Sequence, residues 1–187
     1  MNDRMFQIKE MIPKDVVTIL DVGSGDGFFS KYFKTICLDL ENADINQDLN
    51  KNQKIKFRSK SVDMVILSQI LEHLGDCSEI VKESKRITKK YILVGLPNEI
   101  TVDNRTRILI GKPGYEGYLP YWHKHFFTIK SAESFVRKMF GQYIKRSYIF
   151  GVRGGKFLPL FLRKWLAENF SSLMAKEVYY LIDVREL

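Results

Sequence analysis

The residues best placed to do chemistry are a run near the N-terminus, Asp21-Val22-Gly23-Ser24-Gly25-Asp26-Gly27, and a carboxylate sixteen positions after Gly23, Asp39. Glycines at alternate positions allow a tight turn and leave bare backbone for a ligand to press against. A helix opening after the turn would aim its unpaired N–H groups at the same ligand. Asp39, at the end of a following strand, can accept both hydroxyls of a ribose, each charge-assisted bond contributing about 1.5–3 kcal/mol. The spacing Gly-x-Gly-x-Gly departs from the Gly-x-Gly-x-x-Gly of dinucleotide sites. An acid at Asp21 would also sit poorly beside a pyrophosphate. It suits a cationic ligand, such as a sulfonium with an amino-acid tail. A nicotinamide dinucleotide is the rival ligand, and a glycine turn with no ligand is the plain alternative.

These residues need a scaffold that brings strand tips together. Val16-Val17-Thr18-Ile19-Leu20 is β-branched and apolar and predicts a buried strand running into the glycines. A short helical stretch is expected through Phe33, then strands at Thr35-Ile36-Cys37-Leu38, Val62–Leu67 and Tyr91–Val94. Helical spacing over 5–12 and 69–89 supplies helices around them. Strand then helix, repeated, predicts βαβ units and a parallel sheet. After residue 100 the pattern loosens. A Gly/Pro-punctuated insert over 111–127 carries Tyr115, Tyr118, Tyr121, Trp122, His123, His125 and Phe126, and cannot be one regular helix. A helix over 131–140 and two late strands, Ile144–Val152 and Glu177–Val184, follow. Between those strands an apolar stripe over 158–173 reads as core or a dimer face, or as a helix lying on a membrane surface.

The chain resembles the class I S-adenosyl-L-methionine-dependent methyltransferases, close to the compact type 11 group, over 15–100 and more loosely over 123–187. Asp21, Gly23, Ser24, Gly25 and Gly27 resemble the first motif, which surrounds the methionine part of the cofactor. Asp39-Leu40 resembles the ribose-binding acid and its neighbour, and Asp48-Leu49 the pair that meets the adenine. Ser68-Gln69-Ile70-Leu71-Glu72-His73-Leu74 resembles the end of the fourth strand and the "LEHL" helix start, with Ser68 at the cofactor. Gly95-Leu96-Pro97-Asn98 resembles the end of the fifth strand, and His125-Phe126-Phe127-Thr128 the "H-F-F-T" opening a later helix. The resemblance implies a single domain over 1–187, cofactor-binding in 15–100 and acceptor-binding in 101–187. Its architecture would be α/β and Rossmann-like: a doubly wound, mostly parallel seven-stranded sheet with helices on both faces and a late antiparallel strand. It implies S-adenosyl-L-methionine as cofactor and S-adenosyl-L-homocysteine as product. Only eight residues separate Asp39 from Asp48, so the second helix and third strand must be reduced.

Methyl transfer from a sulfonium is an in-line displacement with a good leaving group, so alignment supplies much of the acceleration. A hydroxyl acceptor also needs a base, and His73 and His125 are the candidates, with His123 beside them. His123-x-His125 could begin a metal site, but no third ligand stands at a fitting spacing, so none is expected. Leu67-Ser68 is not followed by Asn/Asp-Pro-Pro-Tyr, which disfavours exocyclic amino methylation of DNA bases, and Pro97 is followed by Asn98 with no Pro-Cys nucleophile, which disfavours cytosine C5 methylation.

Charge narrows the acceptor further. Residues 1–100 hold 15 basic and 15 acidic side chains, whereas 101–187 hold 15 and 7, so the whole net charge of +8 lies in the second half. An anionic acceptor is one reading: a phosphorylated metabolite, a lipid precursor, a glycan or RNA. A basic balance that merely aids solubility is the other. A protein that binds the cofactor without catalysis also remains in view. The two cysteines, Cys37 and Cys77, read as free thiols of a cytoplasmic protein. No apolar run approaches the length of a membrane span and no signal-peptide core stands at the N-terminus. A monomer or homodimer is expected, with membrane contact at most peripheral.

Overall fold

The computed structural model describes residues 3–112, 123–152 and 155–186. At its centre is a seven-stranded sheet of β1 (Ile19–Val22), β2 (Thr35–Asp39), β3 (Ile45–Asn46), β4 (Val62–Ser68), β5 (Thr88–Pro97), β6 (Lys145–Phe150) and β7 (Ala175–Asp183). Their order is β3-β2-β1-β4-β5-β7-β6. β1 to β5 pair in parallel, and β7 enters between β5 and β6 antiparallel to both. The order runs outward in both directions from β1 and β4. The carboxyl ends of those two strands therefore flank the crevice where open α/β sheets bind ligands.

β4 is buried along its length, as expected of a parallel strand covered on both faces. Alternation decides which face each side chain joins. Leu20, Val22, Val65, Leu67, Ile92 and Val94 pack against Ile80 and Ile87 of α2 (Ser78–Ile87) and Ala132, Val136 and Phe140 of α4 (Ile129–Phe140). Ile19, Met64, Ile66 and Leu93 face the other way, toward Met5 and Ile8 of α1 (Asp3–Lys9). The remaining helices are α3 (Val102–Leu109), α5 (Leu160–Asn169) and α6 (Ser171–Met174). Among the described residues no helix is long and apolar enough to cross a membrane.

The structure differs from the sequence expectation in four places. The first strand starts only at Ile19; Val17 is 73% exposed, and its backbone N–H donates to Asp63 rather than to a neighbouring strand. The stretch after the glycines is a series of turns with no regular helix. The helix expected over 69–89 breaks into a single 3-10 turn, Leu71–His73, and α2, because the Asp76 carboxylate accepts from Ser78 N and starts the helix afresh. The apolar stripe over 158–173 splits into α5 and α6, and of α5 Ala167 is buried while Phe161 and Trp165 are exposed, so this stripe is not core. Of the aromatic insert, residues 113–122 lie outside the described residues.

Asp63 fastens the entry to β1 onto β4. Its Oδ2 accepts from Val17 N, Thr18 N and Thr18 Oγ1, each at 3.0 Å, and Lys90 Nζ lies 3.5 Å from Oδ1. Burial alone would raise this carboxyl, but the bonds from Thr18 and Val17 outweigh it and hold it at about 2. Its stabilisation is complete above the ordinary carboxylate range and is lost as pH falls through about 2. Asp63→Ala strands these donors and is expected to lower stability by about 2–3 kcal/mol in urea denaturation at pH 7; an unchanged midpoint would refute that role.

Candidate active site

The glycine bend follows β1 at the crevice. Gly23, Gly25 and Gly27 have φ of 74°, 53° and 68°, conformations that L side chains rarely adopt. The bend is tied to β2, since Gly23 N and Ser24 N both donate to Leu38 O, at 2.8 and 3.2 Å. Asp39, at the tip of β2, accepts from Gly25 N through Oδ2 and from Leu40 N through Oδ1, each at 2.6 Å. Its carboxylate thus reaches across the bend while keeping lone pairs for further donors. Leu40 beside it is 57% exposed and offers an apolar surface at the strand tip.

Asp21 forms the floor. It is 1% exposed, and its Oδ2 has no hydrogen-bond partner among the described residues. Burial, with Asp39 nearby, pushes its carboxyl up to about 7, against the pull of Arg4. An unpaired buried acid is costly unless a donor or cation arrives to meet it. Beside it Arg4 of α1 lies 4.5 Å over the Phe28 ring and pairs with Glu177 at 2.9 Å. Arg4 also donates to Tyr179 OH at 2.6 Å, and Tyr179 OH lies 2.8 Å from Ser68 Oγ. Ser68 therefore belongs to a buried polar chain behind the bend. Gly95 makes room for it, because a Cβ there would fall 2.3 Å from the Tyr179 ring.

Asp48 and Leu49 follow β3 and are brought to the same edge, as Gln47 N donates to Asp39 O at 2.7 Å. Leu49 is buried in the core, and the Asp48 carboxyl is held below its ordinary value chiefly by Asn50 N. The candidate cofactor residues from the bend, β2 and the segment after β3 thus share one rim of the crevice.

A cavity of about 800 Å³ opens beyond the tips of β4 and β5. Its lining includes Glu72, His73, Glu99, His123, Lys176 and Glu177. Two segments distant in sequence are zipped together here, because Glu72 O accepts from Lys124 N and His125 N at 2.6 and 3.2 Å. The His73 and His123 rings stand edge to face with centroids 4.8 Å apart, and His123 Nδ1 lies 2.7 Å from Glu99 Oε1. Glu72 is 1% exposed; burial, with Glu99 and Glu177 close, pushes its carboxyl up to about 8 despite a bond from its own backbone.

His123 lines this cavity and His125 does not. His125 Nε2 turns to Gly75 O at 3.2 Å, its ring against Phe127 and Phe135. Residues two apart share a face only in a regular strand, and 123–128 is irregular. The rest of that motif is structural: Phe127 is buried, and Thr128 caps α4 by exchanging bonds with Ser131. Sequence reasoning passed over Arg4, Glu72, Glu99 and Glu177. Of these only Glu72, beside His73, carried a local signal.

Residues 20–91 match the family model of a methyltransferase domain. No curated protein matches the chain. Among solved structures, an S-adenosylmethionine-dependent methyltransferase from Archaeoglobus fulgidus aligns with a TM-score of 0.62 at 16% identity, over 97% of this chain and 94% of that one. One from Thermotoga maritima gives 0.66 at 15% identity, over 97% and 87%. Phosphoethanolamine N-methyltransferase 2 from Haemonchus contortus, solved with S-adenosyl-L-methionine, gives 0.55 at 13%, over 96% of this chain and 51% of that one. Residues 20–91 thus match a methyltransferase domain, and the fold is the one these S-adenosylmethionine-dependent methyltransferases share.

Proposed function

We propose that this chain, with the fold and matched segment of a class I methyltransferase, moves the methyl group of S-adenosyl-L-methionine to a small polar acceptor held in the cavity beyond β4 and β5. The observation that carries the reading is the buried Asp21 carboxylate, whose Oδ2 has no hydrogen-bond partner among the described residues, beside a glycine bend that Asp39 spans. Asp21 meets a cationic amino-acid tail, the bend admits it against bare backbone, and Asp39 offers its remaining lone pairs to the ribose hydroxyls. Held there, the cofactor would supply a sulfonium-activated methyl carbon for in-line attack by the acceptor, with S-adenosyl-L-homocysteine as the leaving group. The crevice aligns the two partners, and alignment contributes most where the leaving group is already good.

The cavity supports a small acceptor, its volume lying in the range of small-molecule sites. Its lining sets Glu72, Glu99, Asp103 and Glu177 against Arg107 and Lys176. The basic excess of the second half therefore lies mostly outside the cavity, which favours a neutral, hydroxyl- or amine-bearing acceptor such as a glycan unit or lipid precursor over a phosphorylated one. RNA is the second reading, favoured by that outer basic excess. Affinity for RNA falling steeply with salt would support it, and no such affinity would leave the small acceptor.

Calorimetry tests the cofactor reading directly. S-adenosyl-L-methionine is expected to bind one site and NAD not to bind. The ionised form of Asp21 receives the cation, so affinity is expected to fall as pH drops below about 7, approaching tenfold per unit. In the free protein the sign is opposite: the folded state keeps this proton up to about 7, so stability declines as pH rises from the ordinary carboxylate range to 7. Asp21→Asn should flatten the pH dependence of binding. NAD binding in place of the sulfonium nucleoside would overturn the proposal.

A further inference from the structure

We propose that Glu72, His73 and His123 hold a divalent transition-metal ion in the acceptor cavity. Each of the three offers one ligand atom, and these atoms lie within 4.8 Å of one another. Ligands sharing an ion at about 2.0–2.2 Å stand about 3–4 Å apart, so a small rotation of the side chains closes the set. Two imidazoles and one carboxylate suit manganese, iron, cobalt or zinc, and leave positions for water or an acceptor oxygen.

Two independent features point to a cation. Glu72 is 1% exposed, and its Oε2 has no hydrogen-bond partner among the described residues. A buried carboxylate oxygen left unmet is destabilising until a positive charge reaches it. The second feature is His123, whose Nδ1 lies 2.7 Å from Glu99 Oε1 while Glu99 is itself 6% exposed. A carboxylate on one ring nitrogen fixes the tautomer and leaves Nε2 for a metal, the arrangement that supports most ligating histidines. The backbone holds the two segments in place, because Lys124 N and His125 N donate to Glu72 O. His123-x-His125 misleads as a sequence motif, since the partners of His123 come from the turn after β4 and His125 contributes nothing.

Resting on the methyltransferase reading, the ion gives the cavity a preference for oxygen acceptors. A hydroxyl bound to it is acidified and releases its proton to solvent. Its oxygen then forms the bond to the methyl carbon as the carbon–sulfur bond breaks, with that electron pair staying on sulfur.

The full chain, stripped with a chelator, is titrated with Co²⁺ while its visible absorption is followed, and with Zn²⁺ by calorimetry. One equivalent is expected to bind, with cobalt bands abolished by zinc. His73→Ala and His123→Ala should each weaken binding by about 100-fold. Glu99→Gln, which keeps the three ligands and only loosens the His123 ring, should weaken it about 10- to 100-fold. His125→Ala should leave metal affinity unchanged. No stoichiometric binding, or equal binding in the His73, His123 and Glu99 variants, overturns the site. Titration of S-adenosyl-L-methionine in the same samples separates the two readings: metal binding without cofactor binding supports the site and overturns the proposed cofactor.

Discussion

Gly23→Ala is expected to weaken S-adenosyl-L-methionine binding by about 100-fold or more, a loss of about 2.7 kcal/mol. Two effects combine. The residue sits at φ 74°, where an L side chain is strained by about 1–2 kcal/mol. A Cβ there would also fall 2.7–2.8 Å from three side-chain carbons of Ile70. Ile70 immediately precedes the Leu71–His73 turn, so it cannot retreat without disturbing the cavity wall. The bend must open instead, and Gly23 N and Ser24 N lose their bonds to Leu38 O. The fold itself should persist, because the sheet is held by strands on both sides of the crevice. Calorimetric titration together with a circular-dichroism melt separates the two effects; a folded variant binding within about threefold of the parent would show that the bend does not hold the cofactor.

Replacing Asp39 is the second large change. Asp39→Ala is expected to weaken cofactor binding by about 10- to 100-fold, the cost of about one charge-assisted bond. The carboxylate has a double role in this geometry. It offers acceptor positions to the ribose, and it already ties Gly25 N and Leu40 N at 2.6 Å. Alanine removes both. Asp39→Asn keeps one oxygen for the bend and should recover part of the loss. Unchanged affinity in Asp39→Ala would contradict the ribose assignment.

The glycine bend and the acid at the next strand tip were legible in the sequence because their signals are local. A strand, three glycines and an acid at the next strand tip lie within about twenty residues, and the parallel register brings β1 and β2 tips together wherever that pattern folds. Even there one role of Asp39 stays hidden in the sequence. That it ties the bend is visible only once Gly25 N stands 2.6 Å from its carboxylate. The cavity beyond β4 and β5 was much less legible. His125 carried the motif but faces Gly75, and His123 two positions earlier faces the cavity. An irregular segment has no period from which facing can be read.

Composition and periodicity by themselves determined the parallel α/β frame, the place of the crevice and the tight glycine bend at the tip of its first strand. Each follows from strand periodicity and backbone freedom, which are properties of neighbouring residues. Only the tertiary structure decided what stands across from that bend. Arg4 from the first helix meets Glu177 and Tyr179 from the last strand, and Glu72-His73 meets His123 from fifty residues away. Those encounters depend on how helices and connecting segments settle on the sheet, where burial of apolar faces and the zipping of Glu72 O to the 124–125 backbone act at distances along the chain that no local pattern records.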